Sequence, residues 1–333
     1  MREMAMAIQS IKVPNEFLFR RLHSLMGFWF LLFLMEHLFT NSQMALFFTN
    51  GELWFVRSVD FLRNLPYIHL IEIFLLGVPI AYHAIWGVMY MLKGKFNAIQ
   101  SDGSTPLIKT GRNRAYTLQR ISAWVLLIGI VLHVVQMRVL AYPAKYQKQF
   151  YLPIKLDSGL YPLANRLGVD LYSEGAIVKE KGKLAEIDHK IKLIEARLQE
   201  RGETQANTGE YDEEMGMISQ SLQKNQFLKD HLKGLESKQL KSGQVMTVSK
   251  SFGNLELLSV RETFRNPFMC AFYTLFVLAA VFHGFNGLWT FLITWGVILS
   301  KKSQSQGVTV CIGLMFVIGL LGMLSIWGTY FLG

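Results

Sequence analysis

The chain has 333 residues, 51% of them hydrophobic, and a formal net charge of +10. The apolar residues fall in long blocks and the basic ones between them, so the charge reads as membrane topology rather than as a nucleic-acid surface. The two cysteines, Cys270 and Cys311, both lie inside apolar blocks, which argues against a disulfide framework.

More than twenty residues, among them Arg2, Lys12, Glu16, Arg20 and Arg21, precede the first apolar run, so the N-terminus does not read as a cleavable signal. Leu22–Phe39 is the first candidate span; its run SLMGFWFLLFLM is followed by Glu36 and His37. The next loop carries only Arg57 and Arg63. His69–Leu92 is the second span, and the loop behind it is rich in cations: Lys93, Lys95, Lys109, Arg112, Arg114 and Arg120. The third span is Ala115–Leu140 and the fourth Phe268–Leu299; Lys301 and Lys302 lead into the fifth, Val308–Leu332. A hydrocarbon core of roughly 30 Å needs about 20 helical residues, and each block suffices. The fold class is therefore all-α, a polytopic membrane protein with five transmembrane helices. The cation bias predicts a cytoplasmic N-terminus and an external C-terminus.

Between the third and fourth spans lies sequence of another kind. From Lys179 to Arg201 the residues Leu184, Ile187, Ile191, Ile194 and Leu198 recur in steps of three and four, a coiled-coil seam. From Glu213 to Leu240 a looser stripe carries Ile218, Leu222, Leu228, Leu232 and Leu235. These predict an external helical hairpin, read either as a docking arm or as a solvated insertion without a catalytic role. His189 and His231 read as surface residues. The domain boundaries are 1–141 for the first three spans, 142–266 for the insertion and 267–333 for the last two spans.

Four histidines fall inside four different spans: His37, His83, His133 and His283. Ionisable residues in hydrocarbon are costly and by default mark function. At about 1.5 Å per residue, His37 lies roughly 22 Å from the inner end of its helix, near the outer side. The same count puts His133 at that outer level, and His83 and His283 near the inner side. Two levels with two imidazoles each suffice for two six-coordinate haem irons. Without C-x-x-C-H, such haems would be held by ligation and packing. Gly87, Gly129 and Gly287 each stand four residues from a histidine, on its helix face, where they would leave room for a flat macrocycle. The alternatives are histidines that hydrogen-bond a neighbouring helix, or a metal-transport site, which would gather carboxylates or cysteines at one level. A second haem scheme uses the fourteen-residue spacings His23–His37 and His69–His83, but its depths disagree and it leaves His133 and His283 idle. His23 and His69 read instead as interfacial residues within reach of a haem propionate or a quinone.

The motifs FLFRRLHSLMG, EHLFTN, LIEIFLLGVPIAYHAIWG, TLQRISA, LHVVQMR and VFHGFNGLWTFLITWG resemble the cytochrome b membrane anchor of succinate dehydrogenase and fumarate reductase, in its single-subunit, five-helix, dihaem form. The resemblance covers about Glu16–Leu140 and Asn266–Leu332. It implies two haem b, with His37 and His133 on a distal haem and His83 and His283 on a proximal one, in a bacterial cytoplasmic membrane. It also implies a flavoprotein subunit with covalent FAD and an iron–sulfur subunit as cytoplasmic partners, and menaquinone or ubiquinone as electron acceptor. Arg21, His23, Ser24 and Arg120, at the inner ends of their helices with Arg20 and Gln119 beside them, are candidate propionate contacts; positive-inside topology with headgroup contact is the plain alternative. Glu72, at about the distal level, is the candidate quinone or proton site; a buried acid bonded to a neighbouring helix is the plain alternative. Asn286 and Trp289 shape the proximal pocket or merely pack. Two departures stand out: the insertion is roughly 100 residues longer than the family pattern, and Glu36 stands beside His37 where a neutral amide is expected.

Overall fold

The computed structural model describes residues 14–45, 51–94, 98, 106–201 and 209–332. Arg2, Lys12 and Lys95, and the side chains of Ile194, Leu198 and Ile218, lie outside the described ones. Five helices are long and apolar enough to cross a membrane: Asn15–Ala45, Ile68–Lys93, Gly111–Leu140, Pro267–Thr294 and Lys301–Phe331. We call them spans 1 to 5. They match the five expected blocks and are longer at most ends, because polar residues at the interface continue the helix beyond the apolar run.

In chain order the elements are α1 (Asn15–Ser42), α2 (Gly51–Arg63), α3 (Ile68–Glu72), α4 (Val78–Lys93), α5 (Gly111–Val135), β1 (Ala144–Tyr146), β2 (Gln149–Lys155), α6 (Leu160–Leu167), β3 (Asp170–Tyr172), α7 (Glu174–Arg201), α8 (Gly209–Leu235), β4 (Gln244–Ser249), α9 (Phe252–Phe264), α10 (Pro267–Thr294), α11 (Lys301–Met323) and α12 (Thr329–Leu332). Two compact units emerge. One takes Met1–Gln43, Leu65–His133 and Cys270–Gly328; the other takes Met44–Asn64, Val134–Met269 and Thr329–Gly333.

In the first unit, α1 packs on α4 and α11. Span 2 is interrupted by a π-helical turn, Ile73–Gly77, and its cause is Pro79. Proline has no N–H and its ring collides with the carbonyl four residues earlier, here that of Leu75. In hydrocarbon a freed carbonyl must find a donor, and the indole Nε1 of Trp29 donates to the Leu75 carbonyl at 2.7 Å. One proline thus creates the π turn and a cross-link between spans 1 and 2.

The second unit contains the expected hairpin, α7 against α8. Asn225 donates to Asp188 at 2.6 Å between them. Leu184 and Ile191 of the expected seam pack inward, whereas Leu222 is 47% exposed. The second helix ends at Leu235 rather than at Leu240. A four-stranded antiparallel sheet, in the order β1-β2-β4-β3, accompanies the hairpin and was not expected from the sequence. Phe150 pairs with Ser249 and Lys155 with Gln244. Tyr151, Met246 and Val248 of the sheet meet Leu232 and Leu235 of α8 and Ile177 of α7 in one buried cluster. His231 belongs to this core as well, which corrects its reading as a surface residue. It is 8% exposed, within 2.9 Å of the Tyr151 hydroxyl, and burial pushes its pKa below the usual imidazole value. His189 is exposed, as expected.

Nearly every residue of α9 is buried. Its N-cap, Ser251, accepts from the Asn254 amide and donates to Asp60 at 2.6 Å, tying α9 to the end of α2. Asp157 bonds both guanidinium nitrogens of Arg261 at 3.1 Å and also pairs with Arg265. Burial would raise the Asp157 pKa, but the hydrogen bond and charge of Arg261 outweigh it and hold the carboxyl at about 2. Its folded pKa is therefore below the unfolded value. The pair stabilises this unit above roughly pH 4, and the contribution is lost as pH falls toward about 2. Asp157→Asn removes the carboxylate charge opposite Arg261, whose side chain is 5% exposed; a cost of about 3–5 kcal/mol is expected. Faster hydrogen exchange of the β2 and β4 amides at neutral pH would register it, and unchanged exchange would refute it.

Candidate functional site

The four intramembrane histidines all belong to the first unit, and they stand in two pairs. The His37 and His133 ring centroids lie 5.9 Å apart with planes at 79°. Those of His83 and His283 lie 6.1 Å apart at 82°. His83 is opposite the stretch from His23 to Gly27 of span 1, about 12 residues or roughly 18 Å along the helix from His37. Two separate levels therefore exist, each built from two helices.

Around the His83–His283 pair, each Nδ1 is engaged by a backbone carbonyl. His83 Nδ1 lies 3.0 Å from the His23 carbonyl, and His283 Nδ1 lies 3.2 Å from that of Gln119. Ser122 Oγ is a further 3.2 Å neighbour of His283 Nδ1. Gln119 in turn donates to the His283 carbonyl at 3.0 Å and accepts from Asn286 at 2.8 Å. With a carbonyl as partner, Nδ1 must carry the proton, so Nε2 presents a lone pair.

The other pair is backed by side chains. His133 Nδ1 is 3.0 Å from the hydroxyl of Tyr273, which is 4% exposed. His37 Nδ1 has only a long contact, 3.5 Å, to Asn41 Nδ2, whose stronger bond goes to the His37 carbonyl. Phe33 stacks on His37 and Phe276 leans on His133.

The ring of His23 stacks on His83, with centroids 4.1 Å apart and planes 8° apart, and its own Nδ1 is buried with no hydrogen-bond partner among the described residues. Arg120 is 5% exposed, and its Nη2 donates to the carbonyls of Met91 and Gly94 at 2.8 and 2.5 Å. It thus closes the C-terminal end of α4. Arg21 lies over the rings of Phe17 and Trp295. Arg20 pairs with Glu16 at an exposed 3.5 Å. Ser24 is half-buried on the same turn of span 1.

Glu72 ends α3, immediately before the π turn, and its carboxylate lies 3.5 Å from His69 Nδ1. Glu36 does not join the His37 cluster: it is exposed, and its carboxylate accepts from Thr40 on its own helix at 2.8 Å. The glycines also sort themselves. A Cβ on Gly129 would collide with the ring of Phe276, so that notch is filled. A Cβ on Gly87 would stand 3.4 Å from His23, and one on Gly287 3.7 Å from Gln119. The close approach that sequence reasoning missed is Gly27, where a Cβ would stand 2.6 Å from His83 Cε1. Gly27 lies four residues after His23, so the helical spacing used for the other glycines applies to it too. Tyr273 was missed as well; it carries no motif.

Among the described residues, no group of three or more His, Cys, Asp or Glu gathers as a metal site. The chain is similar to the succinate dehydrogenase cytochrome b558 subunit of Bacillus subtilis (strain 168), 35% identical over 128 residues. The match covers 38% of this chain and 58% of that protein. No family model matches the chain and no solved structure matches it.

Proposed function

We propose that this protein is a dihaem cytochrome b that anchors a succinate:quinone oxidoreductase in the membrane and carries electrons to quinone. The observation that carries the reading is the pair of facing imidazole pairs. Two imidazoles bound to one iron, at about 2 Å per bond and with each nitrogen about 1 Å from its ring centre, stand roughly 6 Å apart between centroids. The two separations of 5.9 and 6.1 Å fit that figure. Haem asks for only two protein ligands per iron, so the lack of a larger cluster among the described residues suits it. Orientation of a ligating imidazole through its second nitrogen is the usual supporting arrangement, and the carbonyls of His23 and Gln119 supply it.

Bound haem supplies one-electron transfer; the chain's own residues position and tune it. His83 and His283 would hold the proximal group, through Nε2, and His37 and His133 would hold the distal one. We assign Arg21 and Ser24, beside His23 on span 1, to the propionates, while Arg120, bonded to the carbonyls of Met91 and Gly94, keeps the end of α4 closed. We assign to Glu72, 3.5 Å from His69, the role of passing a proton to quinone at the distal level. Reduction of quinone to quinol takes two electrons and two protons, and a carboxyl at the membrane rim exchanges the latter with water. The similarity to a succinate dehydrogenase subunit supports flavoprotein and iron–sulfur partners on the cytoplasmic side. The cation-rich loops support that orientation, with residues 142–266 as an external domain.

The purified protein is expected to give reduced low-spin b-type bands with about two haems per chain by pyridine haemochrome. A colourless preparation would remove the proposal. Haems without co-purifying flavin and iron–sulfur subunits would retain the cytochrome and remove the succinate partner.

A further inference from the structure

A cavity of about 480 Å³ opens in the first unit between the start of α5, the end of α10 and the start of α11. That is within the size range of small-molecule sites. It stands on the membrane side where spans 1, 3 and 5 begin. Along α11 its lining recurs every three or four residues from Lys301 to Met315, one face of a helix over about 21 Å. One leaflet's hydrocarbon is about 15 Å deep, so the stripe runs from the headgroup level into the tails.

The lining is graded. Arg112 and Lys301 stand at the mouth, both exposed. Phe282, Val308, Ile312 and Met315 form the deeper walls, and none of the lining residues is acidic. The amide and indole groups further in are already bonded to protein. Asn286 donates to Gln119, the Trp289 indole donates to the Gln304 carbonyl, and Arg112 donates to the Gln304 side chain at 2.7 Å. Arg112 also lies over the Trp289 ring at 5.3 Å, which fixes its guanidinium at the rim with donors to spare. Lys301 makes no ion pair among the described residues.

We infer that this cavity is a binding site for an anionic phospholipid, its phosphate between Arg112 and Lys301 and one acyl chain along the α11 stripe. Cationic pockets between transmembrane helices take anionic headgroups for this reason. A quinone ring would need strong hydrogen-bonding groups deep in the pocket, where Asn286 and Trp289 are spent on protein partners and Cys311 offers only a weak thiol donor.

Native mass spectrometry of the detergent-purified full complex tests this, titrated with dioleoylphosphatidylglycerol or with dioleoylphosphatidylcholine. The glycerol lipid is expected to be retained at about tenfold lower concentration than the choline lipid. The double variant R112Q/K301Q should erase that preference, and V308W, which fills the apolar part, should lower retention of both lipids. An unchanged visible spectrum in both variants certifies the fold. Equal retention of the two lipids, or a preference that survives R112Q/K301Q, overturns the proposal. Displacement of the lipid by menadione, with V308W raising the KM for quinone, would overturn it in favour of a quinone site.

Discussion

Alanine at His83 or at His283 is expected to remove one haem per chain, and alanine at His37 or at His133 to remove the other. Each variant should fall from about two haems to about one by pyridine haemochrome, because an iron with a single imidazole loses half its protein bonds. The separations within the pairs are 5.9 and 6.1 Å, so each variant disables one level only. A redox titration separates the two haems. His83→Ala and His283→Ala should delete the same wave, and His37→Ala and His133→Ala the complementary one. If His37→Ala and His83→Ala delete the same wave, the pairing is wrong. The competing scheme, built on the fourteen-residue spacings, predicts a different set: His23→Ala and His69→Ala would delete haems and His133→Ala and His283→Ala would not.

Gly27→Ala is expected to cost the haem proposed for His83 and His283 while sparing the other. A methyl at residue 27 would stand 2.6 Å from Cε1 and 2.9 Å from Nδ1 of His83. The imidazole has nowhere to retreat, since it is stacked on His23 at 4.1 Å and held by the His23 carbonyl at 3.0 Å. Displacing a ligating imidazole by about 1 Å is enough to lose the geometry that a metal site requires. Gly313→Ala is the control: nothing lies within 4 Å of a Cβ there, and the haem content should be unchanged. Loss of both haems in Gly27→Ala would indicate general unfolding of the bundle, and full retention of both would mean that His83 does not depend on this contact.

Much of the membrane part is legible from residue order. Five spans follow from five apolar blocks, and the two histidine levels follow from helix direction and rise. The hairpin of the insertion is legible for the same reason: its stripe of Leu184, Ile187 and Ile191 has helical period. The neighbouring strands are too short for that signal. β1 and β3 have three residues each, and β2 (QFYLPIK) contains a proline, which argues against a strand in the interior of a sheet. β4 (QVMTVS) follows Ser242-Gly243 and is rich in β-branched residues, but its partners β2 and β3 stand 74 to 99 residues away along the chain. His231 was misread because the helix that carries it looks amphipathic with a polar face there. Only the sheet, laid against that face through Tyr151, turns it into an interior.

Sequence alone determined the span count, the presence of the hairpin and which histidines stand together, because apolar length and rise along a helix are one-dimensional quantities. The tertiary structure decided which carbonyls meet His83 and His283, that Gly27 is pressed against a histidine whereas Gly129 is pressed against Phe276, and that Arg120 turns to the end of α4. It also decided that Trp29 answers the carbonyl freed by Pro79. These depend on the rotation of one helix about its axis against another, and residue order does not set that angle; packing of side chains between helices does.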